Sequence, residues 1–157
     1  MKRRNLVAFG VAALAVGSGA AAPQGSDEAM MRQALDRLNE GLTSHDPGLA
    51  NAFAADGLMV GSEPGERAQG RAQIAALLET VYAQPFKASF EWKTVSGGIS
   101  GDLAWLFAEG DMVLEGGGLA QRRPYRLTGI LVKAGGGWTW RLFHGSEPIT
   151  ARAPAAA

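Results

Sequence analysis

The stretch YRLTGILVKAGGGWTWRLFHGSEP, residues 125–148, decides how this chain is read. Residues 125–133 and 138–144 are extended-looking segments rich in aromatic and branched side chains, and three consecutive glycines, Gly135 to Gly137, separate them. Two such runs around a glycine turn are the sequence form of a β-hairpin. Working backwards, Gly116 to Gly118 makes another turn, and residues 103–114 before it form a long apolar strand containing most of GDLAWLFAEGD. Earlier still, Phe90, Trp92 and Thr94 alternate with Ser89, Glu91 and Lys93, the period of two that a half-buried strand requires. Gly97-Gly98 marks a bend.

Before Lys87 the period is helical. Ile74, Leu77, Leu78, Val81 and Tyr82 follow Gly70 at steps of three and four, giving one apolar stripe that ends before Pro85. Met31, Leu35, Leu38 and Leu42 form a similar stripe behind Ser26, a good N-cap, with Asp27 and Glu28 in the first turn. Asp46-Pro47 reads as the start of a short third helix carrying Leu49 and Phe53 and closing by Asp56-Gly57. Residues 58–60 follow as a brief strand, then a turn from Gly61 to Gly65. Helices first and a meander of strands last specify an α+β domain with an antiparallel sheet.

The order of elements, the strand GDLAWLFAEGD, the Arg-Leu-Thr entry at Arg126, the glycine turn running into Trp138 and the closing His144-x-Ser146 resemble SnoaL-like domains of the nuclear transport factor 2-like superfamily. They also resemble the association domain of calcium/calmodulin-dependent kinase. SEPGERAQGRAQIAALL, residues 62–78, fits the turn and glycine-led helix of the same group. The resemblance covers residues 26–148. It implies a cone: a curved antiparallel sheet wrapped around about three helices, with a pocket at the wide end. It does not imply one function, because the superfamily holds isomerases, cyclases, dehydratases, assembly domains and proteins that only bind.

Six residues are candidates for that pocket. Trp105 and Glu109 share one face of their strand, and Arg126 and Thr128 share a face of the next. In the resembling association domains an Arg at the position of Arg126 points into the pocket, which implies a polar floor of Glu109 and Arg126, with His144 beside them. Tyr82, Trp105 and Trp140 then form the walls. Glu109 and Arg126 either hold a polar ligand or neutralise each other. Alternation puts His144 with Trp138, Trp140 and Leu142, where it is either an acid–base group or a strand-end His bonded to backbone or to Ser146. Glu63 lies near the place of the catalytic Asp in the ketosteroid isomerase relatives, but helix one lacks the Tyr those enzymes use. The catalytic residues are therefore unknown. The expected function is small-molecule binding. The alternatives are a small isomerase, dehydratase or hydrolase with Glu109, His144 or Glu63 as base, and a homo-oligomeric assembly module.

The two ends read differently from the domain. Lys2, Arg3 and Arg4, the apolar residues 6–16 and Ala20 to Ala22 have the three parts of a secretory signal, expected to cover residues 1–22. The apolar run is too short to span a bilayer, so no stable membrane anchor is expected after cleavage. Arg3-Arg4 suits either general or twin-arginine export, to the periplasm or beyond. Residues 149–157 are Ala- and Pro-rich and read as a disordered tail. The signal holds three of 15 basic residues and none of 15 acidic ones, so the mature domain carries a charge of −3. No basic run follows a phosphate backbone, and nucleic acid is not an expected partner. The chain has no Cys, which excludes disulfides, thiolate metal sites and a lipoprotein anchor. No metal-ligand spacing and no cofactor motif is present. A homodimer through the convex sheet face is expected, since several large apolar strand residues would otherwise face water.

Overall fold

The computed structural model describes residues 24–149. The expected signal at residues 1–22 and the tail from residue 150 lie outside the described residues.

Helix α1 spans Gln24–Ser44 and buries Met31, Ala34, Leu35, Leu38 and Leu42, the stripe expected of it. Its end is a Schellman-type cap: the His45 amide donates to the Leu42 carbonyl at 3.3 Å and the Asp46 amide to Gly41 at 2.9 Å. The residue in the left-handed conformation is His45, with φ at 54°, where glycine is the usual occupant. Helix α2, Arg71–Tyr82, supplies what holds it there. The Tyr82 ring stacks on the His45 imidazole with centroids 4.8 Å apart, and its hydroxyl donates to the Asp46 carbonyl at 3.1 Å.

The third helix is corrected to a single 3-10 turn at Leu49–Ala52. Asp46 uses its carboxylate locally, its Oδ1 accepting the Gly48 amide at 2.7 Å, and no apolar stripe follows to sustain a helix. The chain instead enters strand β1 at Phe53 and continues to Val60, five residues earlier than the sequence suggests. A short strand β2, Arg67–Gln69, pairs back on it; three residues are too few to show a period.

The remaining strands are β3 (Lys87–Ser100), β4 (Leu103–Gly116), β5 (Leu119–Ala134) and β6 (Gly137–Ser146). Gly97-Gly98 does not break β3. A Cβ on Gly97 would lie 2.4 Å from the Met31 sulfur, so this glycine lets the strand pass close under α1. The six strands form one open sheet in the order β2-β1-β6-β5-β4-β3. Every neighbouring pair is antiparallel except β1 and β6, which run parallel, with Leu58 opposite Leu142 and Val60 opposite His144. The all-antiparallel expectation is corrected at that one pair: β1 comes before the meander and is inserted beside its last strand.

The core lies between the helices and one face of the sheet. Ala104, Leu106 and Ala108 of β4, Tyr125, Leu127 and Leu131 of β5, and Trp140 and Phe143 of β6 point into it. A register shift in β6 opposite Ile130 and Leu131 leaves Arg141 as an extra residue. Trp140 pairs with Leu131 on the inner face, while Leu142 and His144 pair with Ile130 and Thr128 on the outer one.

Candidate functional site

The helices cover only part of the inner face. Where β1, β4 and β6 finish and β3 and β5 begin, a cavity of about 500 Å³ remains between the sheet, α2 and the loop from Gly61 to Glu66. Met59, Leu78, Phe86, Phe90, Met112 and Phe143 are among its apolar walls. Its charged groups are Glu63, Glu66, Arg123 and Glu147, and Ser62, Thr80, Gln84 and Tyr125 are its uncharged polar residues.

Tyr125 is built into this cavity by its neighbours. It is 4 % exposed, its ring packs against Phe90 at 5.0 Å, and Trp92 lies behind both at 6.4 Å from it. The phenol passes directly over Gly145 of β6, where a Cβ would stand 1.8 Å from the hydroxyl oxygen. Only glycine fits there, so the hydroxyl reaches across β6 to Ser62 and is hydrogen-bonded to it. Burial is the main cause that drives the phenol well above its ordinary pKa, the Ser62 hydrogen bond opposes this, and the Glu66 and Glu147 charges reinforce it. Tyr125 is therefore a neutral group at any physiological pH. Ser62 Oγ lies 3.4 Å from Glu147 Oε1, and the Arg123 guanidinium is 3.6 Å from the same oxygen. In the loop, the Gly61 amide donates to the Glu66 carbonyl at 2.7 Å and the Glu63 amide to Glu66 Oε2 at 3.0 Å.

None of the six residues expected to form the pocket lines this cavity. Glu109 and Arg126 do come together: they are register partners, with Nε 2.9 Å from Oε1, but on the outer face of the sheet and half exposed. Their neighbours Ala108 and Leu127 are the inward residues, both fully buried. Trp105 stands on the same outer face, 52 % exposed. Trp140 is a core residue at 2 % exposure, His144 is exposed on the outer face, and Tyr82 spends its hydroxyl on the α1 cap. The structure thus places all six away from this cavity. Tyr125 and Ser62 are the residues sequence reasoning missed. The signal for Tyr125 was present in β5, where apolar Tyr125 and Leu127 alternate with polar Arg126 and Thr128; plain alternation turns the tyrosine inward. Glu63, singled out from the isomerase likeness, does line the cavity.

Residues 31–150 match the SnoaL-like domain family. The chain belongs to the SnoaL-like family. The domain has the nuclear transport factor 2-like fold. Similar solved structures include an NTF2-like protein of unknown function from Pseudomonas putida KT2440, with TM-score 0.68 and 20% identity over 81% of this chain and 90% of that one. An NTF2-like protein with a cystatin-like fold from Novosphingobium aromaticivorans has TM-score 0.68 at 20% identity, covering 83% and 86%. A putative dehydratase from the NTF2-like family of Streptomyces avermitilis has TM-score 0.69 at 16% identity, covering 80% and 99%. No curated protein sequence matches the chain. At these identities the likeness establishes the fold of the SnoaL-like domain and leaves its chemistry to its own residues.

Proposed function

We propose that this SnoaL-like domain binds a small, largely apolar molecule in the cavity between α2 and the sheet. The observation that carries the reading is the cavity itself, about 500 Å³ with predominantly apolar walls and a small number of polar groups among them. Sites for small molecules have that size and that division of labour. Binding is favoured over acid–base catalysis because both His residues lie elsewhere, His45 stacked on Tyr82 and His144 on the outer face. The neutral fluorophore N-phenyl-1-naphthylamine should bind one per chain, with Kd in roughly the micromolar range. Ala88 lines the cavity from β3, and Ala88→Trp should fill it, weakening the probe about tenfold or more while unfolding stays cooperative. Absence of binding, or binding indifferent to Ala88→Trp, would sink the reading.

The rival enzyme reading has one observation in its favour: the carboxylates of Glu63 and Glu66 stand at the same cavity as Tyr125. It gains ground only if a bound molecule leaves chemically changed, which mass spectrometry of protein purified from its own host would reveal.

Export and self-association complete the proposal. The three-part N-terminus supports a mature protein beginning between residues 20 and 24 outside the cytoplasm. N-terminal sequencing that finds Met1 in the cytosolic fraction would refute this. On the outer face, Leu103 and Trp105 are 43 % and 52 % exposed, and Phe107, Ile130, Val132 and Leu142 continue the apolar surface across β5 and β6. A second copy of this face is the occupant we propose, since a contiguous apolar area of this kind favours association. Sedimentation at micromolar concentration should give twice the chain mass, and Trp105→Glu should return it to the monomer. A wild-type monomer would defeat the proposal.

A further inference from the structure

Histidine is the side chain whose ordinary pKa, about 6.5, falls between neutral and mildly acid pH. The chain has two. His45 is stacked on Tyr82 at the end of α1, and His144 stands exposed on the outer face of the sheet. We propose that His144 makes self-association through that face pH-dependent, the dimer holding at neutral pH and separating in mild acid. This rests on the dimer reading and adds its regulation.

The first observation is position. Thr128 of β5 is the register partner of His144 on one side and of Phe107 on the other. The next row on the same face is Leu142, Ile130 and Trp105. Neighbouring rows on one face of a sheet are only about 7 Å apart. His144 shares a row with Phe107 and a strand with Leu142, so a second copy that covers those two covers the imidazole as well. On its other side the partner is Val60 of β1, and uncharged residues therefore flank it in both directions across the sheet.

The second observation is charge. Among the described residues no carboxylate pairs with His144. Arg126 of β5 stands two residues from Thr128, and Arg67 of β2 is the partner of Val60. Arg126 is held by Glu109 of β4 at 2.9 Å, and Arg67 donates to Gln69 Oε1 at 3.5 Å. On β6 itself Arg141 is paired with Asp56 at 2.7 Å. Glu147, just beyond β6, lines the cavity and has Ser62 and Arg123 as its partners. Covering a neutral imidazole costs far less than covering an imidazolium that has no carboxylate to meet it. Protons therefore bind the separated chains better than the dimer. By linkage the dimer is favoured above the ordinary histidine pKa and is lost as pH falls through it. A two-fold interface holds two copies of His144, so the effect counts twice.

Sedimentation equilibrium of the purified protein at about pH 7.5 and about pH 5.5, at constant ionic strength, brackets the histidine titration. The dimer Kd should rise about tenfold for each excluded proton, up to about 100-fold for the pair. Circular dichroism at the lower pH should show the separated chains still folded. His144→Gln and His144→Val should dimerise with the same Kd at both pH values. His45→Asn should keep the wild-type response, since asparagine tolerates the left-handed backbone that His45 adopts. A wild-type Kd that does not change with pH overturns the inference and leaves the dimer standing. Acid unfolding in place of dissociation, or a response that survives in the His144 variants, overturns it too. A wild-type monomer at both pH values removes the dimer reading, and the inference with it.

Discussion

Trp140→Ala should destabilise the domain by about 3–5 kcal/mol, lowering the thermal midpoint by roughly 10–20 °C. The indole is 2 % exposed at the centre of the inner face. It meets Phe143 edge-on with centroids 6.1 Å apart, and it lies over Gly129 of β5, where a Cβ would stand 2.5 Å from Cζ3. The glycine is the hole and the indole is what fills it. Removing the ring leaves a void bounded by strands that cannot collapse, because β6 is paired on both sides, to β1 and to β5. Chemical denaturation of wild type and variant at equal protein concentration measures this. A loss below about 1 kcal/mol would mean that the ring is not the centre of the core.

Gly110→Ala should cost about 3 kcal/mol, although it adds only one methyl group. The new Cβ would lie 2.0 Å from the backbone oxygen of Glu91 and 2.9 Å from the Cα of Trp92. These are main-chain atoms of the adjacent strand, so no side-chain rotation relieves the contact. The register shift between Trp92 and Thr94 brings this about, because the bulged part of β3 closes in on the residue opposite it. Gly137→Ala is the control. Its Cβ would meet no atom within 4 Å, and denaturation midpoints should then match wild type. Equal midpoints for Gly110→Ala as well would show that β3 can move away.

The strands of the meander and both α-helices were legible because their periods are long and their turns carry glycine. Which face of the sheet is inward was harder to read. In β4 the large aromatic residues, Trp105 and Phe107, face outward, and the small ones, Ala104, Ala108 and Gly110, face the core. Bulk suggests the reverse. Leu106 is the one large residue among the inward ones from Ala104 to Gly110, and the neighbouring β3 runs close beneath α1, as the Gly97–Met31 approach shows. In β5 the resemblance argued for an inward Arg126 against the local alternation, and the alternation was the better guide. His144 and Trp140 were placed on one face by counting, and the extra residue at Arg141 separates them. A bulge of one residue leaves no mark in composition. The Glu109–Arg126 partnership was readable from strand order, but an exposed pair of this kind contributes about 0.2–1 kcal/mol to stability and defines no cavity.

The parallel pairing of β1 with β6 also sets when the protein can fold. Phe53 waits for Trp140 and Val60 for His144, so segments more than 80 residues apart in sequence must meet before that ladder exists. Contacts of such long sequence separation demand closure of a large loop early, which places the folding time in the milliseconds-to-seconds range rather than the microseconds of a helical bundle. A chain still emerging from the ribosome has its first strand exposed, with only the three residues of β2 to pair with, until residue 144 has been made. Synthesis is nearly over before the complete native sheet becomes possible.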